Sequence, residues 1–170
     1  MKLIEAMKKI KDLQKKADDL EHKVGTFCAH LSVETPTYHD QKRQVSELIQ
    51  AHSDIKKEVL RLRIAVQNTN LVTDVPIILN GGGSVVKSIA EWIHRRRDLA
   101  NNEARMWRKL GDKGLREGQM KQSSGEDVHV KIVRCYDPAE RDQMLACLDS
   151  EPITIDSKLE VINAVTDLIE

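Results

Sequence analysis

The chain has 170 residues, of which 27 are basic and 27 acidic, while 40% are hydrophobic and only 3% aromatic. This length predicts one domain, residues 1–170, and the apolar content excludes collagen-like, low-complexity and disordered classes. No apolar run approaches the roughly 20 residues that cross a bilayer, and charges interrupt the N-terminal stretch where a signal peptide is apolar. We therefore expect a cytoplasmic protein without a membrane partner.

The zero net charge hides an uneven distribution along the chain. Residues 1–136 carry 25 basic and 18 acidic side chains, whereas residues 137–170 carry 2 and 9. This split predicts that the acidic C-terminal segment packs on a basic neighbour in its own or a sister subunit. A nucleic-acid-binding domain usually has a basic surplus as a whole, so no nucleic-acid partner is expected.

Three cysteines, Cys28, Cys135 and Cys147, are widely spaced and odd in number. They form neither a disulfide framework nor a metal-binding spacing with histidine, so we predict reduced thiols and no metal site.

Two apolar seams dominate residues 1–70. In each seam apolar residues recur in alternating steps of three and four, which is the pattern of a coiled coil. A connector containing Pro36 separates them, so we predict an antiparallel helical hairpin in which His52 sets the register. The first seam comprises Leu3, Ala6, Ile10, Leu13, Ala17, Leu20, Val24, Phe27 and Leu31, and the second comprises Val45, Leu48, His52, Ile55, Val59, Leu62, Val66 and Thr69.

A second apolar stripe lies near the open end of this hairpin. Because Ile4, Met7, Leu60 and Ile64 fall outside the seams, they predict that the base of the hairpin docks against the rest of the chain.

Residues 71–136 have a mixed pattern. Alternating β-branched residues around the Gly81–Gly83 turn predict a small antiparallel β-hairpin, followed by a helix from about Ile89 to Leu110. Residues 111–125 predict a mobile glycine-rich loop, and residues 126–136 a further strand.

Residues 137–170 are the acidic C-terminal part of the chain. Asp137 and Pro138 predict the start of one helix, and the stretch from Ser150 to Pro152 predicts the start of another. The fold class is therefore mainly α with a small β element (α+β).

A glycine-rich segment before the third helix resembles a phosphate-binding loop. Gly81, Lys87 and Ser88 fit the pattern, but Val86 stands where a second glycine is required. Since a β-branched residue resists that backbone geometry, a hairpin turn is the better interpretation and no cofactor is expected.

The helix from Ile89 to Leu110 holds the candidate ligand-binding residues. An α-helical period places Arg96 and Glu103 in an apolar stripe that also contains Trp92 and Trp107. Charges on a buried face are costly unless paired, so both should meet opposite charges, with the C-terminal helices as the natural source. An alternative is that Arg96 binds a small anion and Glu103 acts as an acid or base.

Several segments together resemble a family of uncharacterised bacterial proteins labelled septicolysin. The most specific is the block from Trp92 to Arg97, and the segments 34–38 and 136–142 with the C-terminal residues 163–170 extend the resemblance over the whole chain. The label implies an oxygen-stable cytolysin, but the resemblance supplies no catalytic or binding residues.

The sequence thus favours a non-enzymatic, self-associating helical protein that forms a homo-oligomer through its hairpin or its C-terminal helices. No catalytic residues are predicted. Two alternatives stay open: an enzyme or small-anion-binding protein that uses the helix carrying Trp92 and Trp107, and a membrane-active cytolysin.

Overall fold

The protein is mainly helical, as the sequence predicts. The computed structural model describes residues 1–169, and 62% of the chain is helix, with two small antiparallel sheets of two strands each. The helices are α1 (Leu3–Phe27), α2 (Gln41–Val72), α3 (Ile89–His94), α4 (Ala100–Arg108) and α5 (Pro138–Val165), and a π-helical turn (Arg95–Leu99) links α3 to α4. The strands are β1 (Asp74–Ile78), β2 (Ser84–Ser88), β3 (Gly118–Lys121) and β4 (Asp127–Val130).

The chain divides into two compact units that each combine distant segments. The first contains Met1–Asp74, Ser88–Ala90 and the residues from Leu159 onward, and the second contains Val75–Lys87 and Glu91–Lys158. The sequence-based partition into 1–70, 71–136 and 137–170 followed chain order and so separated segments that belong to the same unit.

The hairpin of α1 and α2 forms the core of the first unit, and its predicted seams are confirmed. Every residue of both seams is buried or half-buried except Leu31, which lies beyond the end of α1. Leu3, Ala6 and Ala17 from α1, and Val59, Leu62 and Thr69 from α2, are the most deeply buried. The heptad pattern is therefore satisfied inside the hairpin itself.

Polar contacts fix the pairing of the two helices. His52 Nε2 lies 2.7 Å from Glu21 Oε1, and this hydrogen bond, with the nearby charge of Lys56, lowers the pKa of Glu21. A second contact joins the two helices, in which Lys9 Nζ of α1 donates to Glu58 Oε1 of α2 at 3.0 Å. His52 thus makes the cross-helix contact expected of a residue that sets the register.

The C-terminal residues close the open end of the hairpin. The amide of Leu3 donates to the carbonyl of Thr166 at 2.9 Å, and the amide of Leu168 donates to the carbonyl of Met1 at 2.8 Å. The amide of Ile169 donates to Thr69 Oγ1, also at 2.9 Å. An ion pair of 2.9 Å between Lys2 and Asp167 completes this contact.

Two predictions for the second unit need correction. The loop of residues 111–125 contains strand β3, whose Met120 pairs with Val128 of β4, and β4 ends at Val130. The C-terminal region is one helix, α5, and the predicted break before Pro152 is wrong. The helix continues because Leu148, Ile155 and Leu159 bury the same face on both sides of the proline, which outweighs one lost backbone hydrogen bond.

Candidate functional site

The π-helical turn determines which arginine faces the interior of the second unit. The amide of Ala100 donates to the carbonyl of Arg95, five residues earlier, instead of to that of Arg96. The inward positions therefore run from Trp92 to Arg95, then to Ala100 and Ala104. Uninterrupted α-helical spacing had placed Arg96 on that face. One extra residue in the turn moves Arg95 there instead.

Arg95 forms a charge cluster with two glutamates, which we call the Arg95 cluster (Arg95, Glu103 and Glu151). Its Nε and Nη2 donate to Glu151 Oε1 and Oε2 at 2.5 and 2.9 Å, and Nη2 also donates to Glu103 Oε2 at 2.7 Å. The side chain of Arg95 is 18% exposed and that of Glu151 only 5%. The guanidinium thus uses its planar set of donors for two carboxylates.

The electrostatics of this cluster favour the charged forms of Arg95 and Glu103. Hydrogen bonds to Glu151 and then to Glu103 raise the pKa of Arg95 above its ordinary value. The hydrogen bond from Arg95 lowers the pKa of Glu103, which makes that carboxylate a weaker base than an ordinary glutamate. The cluster is therefore suited to holding α5 against the α3–α4 helix.

The other predicted residues lie in different surroundings. Arg96 is 40% exposed and forms an ion pair with Asp156 of α5, as expected for pairing with the C-terminal region. Trp92 is fully buried, and its indole Nε1 donates to the carbonyl of Val75 at 3.0 Å. Trp107 is half-buried. The structure therefore brings Glu103 to Arg95 and leaves Arg96 in a separate pair, and the ligand-binding role of the four residues stays a prediction.

The pairing of Arg95 with Glu151 was not predicted from the sequence. A signal for Glu151 was present, because it falls in step with the buried Leu148 and Ile155. Its position directly before Pro152 indicated a helix start instead. The signal for Arg95 lies in the π turn, which side-chain periodicity does not reveal.

A second feature of interest is an uncovered face of α2, which we call the α2 outer stripe (Ile49, Leu60, Ile64 and Leu71). These side chains are 54%, 60%, 49% and 56% exposed. Ile49, Leu60 and Leu71 are eleven residues apart, or about three helical turns, so they align on one face of α2, about 130° round the helix from the centre of the seam. Of the predicted second stripe, Leu60 and Ile64 are thus exposed, whereas Ile4 and Met7 are half-buried.

The charges beside this stripe are basic. Lys56, Lys57 and Arg63 lie within about 80° of its centre at 100° per residue, whereas Asp54 and Glu58 lie further round the helix. Glu58 is held by Lys9 and Arg61, whose hydrogen bonds lower its pKa to about 2. The α2 outer stripe is thus apolar with basic borders.

Comparison with family models, with curated proteins and with solved structures gave no match. Among residues 1–169, no group of histidine, cysteine, aspartate or glutamate side chains has the arrangement of a metal site. Within the same residues, no helix combines the length and the apolar character needed to cross a bilayer.

Proposed function

We propose that the protein is a non-enzymatic, self-associating helical scaffold, and that the α2 outer stripe is its interface with a second copy. The observation that carries the proposal is the exposure of four large aliphatic side chains along one straight helix face. Single exposed apolar residues are ordinary, but an aligned row of them is typical of an interaction surface.

Burial of the apolar area of the stripe would stabilise the dimer. Complete burial of an exposed leucine or isoleucine is worth about 1.5–3 kcal/mol, so three half-exposed side chains on each copy, Leu60, Ile64 and Leu71, contribute several kcal/mol before the cost of association. The seam of α1 and α2 is already filled, so the hairpin does not need to open for this contact.

We take the two α2 helices to be antiparallel because this arrangement places Leu60 of one copy opposite Ile64 of the other. In a pair centred between these two residues, Lys56 lies opposite Asn68 and Arg63 lies opposite Arg61. A parallel pair would instead place Lys56 and Arg63 opposite their own copies. A two-fold pair of this kind is the commonest form of homodimer.

The test is the mass of the protein in solution, measured by light scattering after size-exclusion chromatography. We expect twice the chain mass of 19.3 kDa at micromolar concentration. The double substitution Leu60→Glu/Ile64→Glu should give the monomer mass, since it places charges in the interface.

A matched control is Ile153→Glu on α5, because Ile153 is 75% exposed and lies outside the stripe. This variant should keep the dimer mass, and circular dichroism should show the same helix content for all three proteins. A monomeric parent protein, or equal loss of the dimer in the control, contradicts the proposal.

A further inference from the structure

A cavity of about 300 Å³ lies in the second unit, where the loop after α4 meets the segment before α5. One wall is the stretch from Lys109 to Leu115 and the other is the stretch from Ile132 to Tyr136. The volume is at the lower end of the range for small-molecule pockets, so it suits a compact ligand.

Two arginines connect the walls of the cavity. Arg134 donates from Nε and Nη2 to the two carboxylate oxygens of Asp112, each at 2.7 Å. Arg141 donates from Nη1 to the carbonyl of Leu110 at 3.1 Å and to the hydroxyl of Tyr136 at 3.3 Å. The cavity is therefore formed before any ligand arrives, which reduces the entropic cost of binding.

The lining combines apolar side chains with basic ones. Leu115 and Val133 are 62% and 85% exposed, so an apolar body placed in the cavity would remove them from water. Lys109 and Lys113 also line it, and neither has an ion-pair partner within residues 1–169. The charge of Arg134 is neutralised by Asp112. Glu117 places one negative charge at the wall, where its carboxylate accepts a hydrogen bond from the amide of Ile132 at 3.1 Å, so the two lysines leave the cavity with a net positive charge.

The backbone at Lys113 is a second unusual feature. Its φ angle is +53°, in the left-handed region that residues with a side chain seldom adopt. Residues held in such a conformation cluster at active sites and ligand clamps.

We propose that this cavity binds a small amphipathic carboxylate, with its apolar body on Leu115 and Val133 and its charge next to Lys109 and Lys113. This site is separate from the α2 outer stripe and does not depend on self-association. The ligand class follows from the pairing of uncovered apolar surface with uncompensated positive charge.

Cys135 makes the test possible, because it lines the cavity and is exposed to reagents. The full-length protein is treated with iodoacetamide and then digested. Mass spectrometry of the peptides gives the rate at which Cys135 is alkylated. Cys28 is also exposed but lies just after α1, so its rate in the same sample is an internal control. The probes are 1-naphthoate, the neutral 1-naphthylmethanol, and acetate.

We expect saturating 1-naphthoate to slow alkylation of Cys135 by about tenfold and to leave Cys28 unchanged, since alkylation follows the unliganded fraction. Neither 1-naphthylmethanol nor acetate should protect as well, because each lacks one half of the ligand. Lys109→Glu/Lys113→Glu should weaken naphthoate binding by about tenfold or more, which corresponds to about 1.4 kcal/mol. Lys121→Glu on β3 is the matched control and should bind as the parent does.

Three results would overturn the proposal: no protection of Cys135 by naphthoate, equal protection by the neutral probe, or equal slowing at Cys28. Unchanged binding by the double lysine variant, with its helix content intact, would also overturn it. None of these results bears on the dimer mass, so the two proposals fail independently.

Discussion

The hairpin and the α3–α4 helix are held to their neighbours by different kinds of interaction. The hairpin buries a continuous apolar seam and leaves its ionic contacts at the surface, whereas the α3–α4 helix holds a charged arginine against α5 through a carboxylate that is 5% exposed. Apolar packing tolerates small changes because it is spread over many residues. A buried charge pair concentrates its energy in two side chains, so removal of one partner is severe.

The first prediction, with the largest expected effect, tests the buried charge pair. The substitution Arg95→Met leaves Glu151 buried without its partner. We expect a loss of about 3–5 kcal/mol in the free energy of unfolding, measured by urea denaturation. Arg96→Met is the control, because the Arg96–Asp156 pair is largely exposed and should cost at most about 1 kcal/mol. Equal effects of the two substitutions would mean that the π turn does not distinguish the arginines.

The second prediction compares the two faces of α2. Leu62→Ala should cost about 2–4 kcal/mol in the free energy of unfolding, because Leu62 is fully buried in the seam. Leu60→Ala should cost about 0.5 kcal/mol or less in dilute monomer, since surface substitutions fall within that range. At high protein concentration Leu60→Ala should cost more, and an effect independent of concentration would argue against burial of Leu60 in a dimer.

The third prediction concerns pH and the surface ion pairs of the hairpin. Hydrogen bonds from Arg61 and Lys9 lower the pKa of Glu58 from 4.5 to about 2. A depressed carboxylate pKa stabilises the fold above the unfolded-state value, so this contribution is complete above pH 4.5 and disappears as the pH falls towards 2.

Glu58→Gln should therefore destabilise the protein at pH 6, and this destabilisation should shrink steadily as the pH falls from 4.5 through 2, as measured by urea denaturation. Glu34→Gln is the control substitution: it removes a carboxylate of the connector between α1 and α2 that accepts a hydrogen bond from the Leu31 amide and has no ion-pair partner among residues 1–169. A difference between parent and Glu58→Gln that does not change with pH would show that the carboxylate is not ionically engaged.

The fourth prediction should leave stability unchanged and tests only the geometry of the dimer. In the antiparallel arrangement Ser53 of one copy lies opposite Leu71 of the other. We expect a disulfide when chains carrying Ser53→Cys are mixed with chains carrying Leu71→Cys, in a background with the native cysteines replaced by serine. Efficient cross-linking of Leu71→Cys with itself would instead indicate a parallel pair.

Sequence periodicity predicted the hairpin almost completely because its physics is local and repetitive. Alternating steps of three and four place Leu62 and Ala17 in the seam, and the structure buries both. The same reasoning misassigned Arg96, since a single π turn changes the phase of every later position while leaving the residue types unchanged. Periodicity is therefore reliable only until the first irregular turn.

The prediction that the acidic C-terminal part pairs with basic residues elsewhere in the chain was correct, but the individual pairs were not predicted. Asp149 pairs with Arg108 and Asp156 with Arg96, so the acidic segment does find basic partners within the second unit. The identity of the buried partner, Glu151, depends on which face α5 presents, and the false helix start at Pro152 hid that face. The cavity near Lys113 was likewise beyond prediction, because it arises where two loops meet.

The π turn lets one helix hold one residue more than ordinary α-helical spacing would. Deleting Arg97 would leave one residue fewer between Arg95 and Ala100, which permits ordinary α-helical bonding through the segment. Four residues make about one α-helical turn, and the five residues from Arg95 to Ala100 already make about one π-helical turn, so Ala100 and the side chains beyond it would keep nearly their present direction. The helix should therefore accept this one-residue deletion with Arg95 still paired with Glu151.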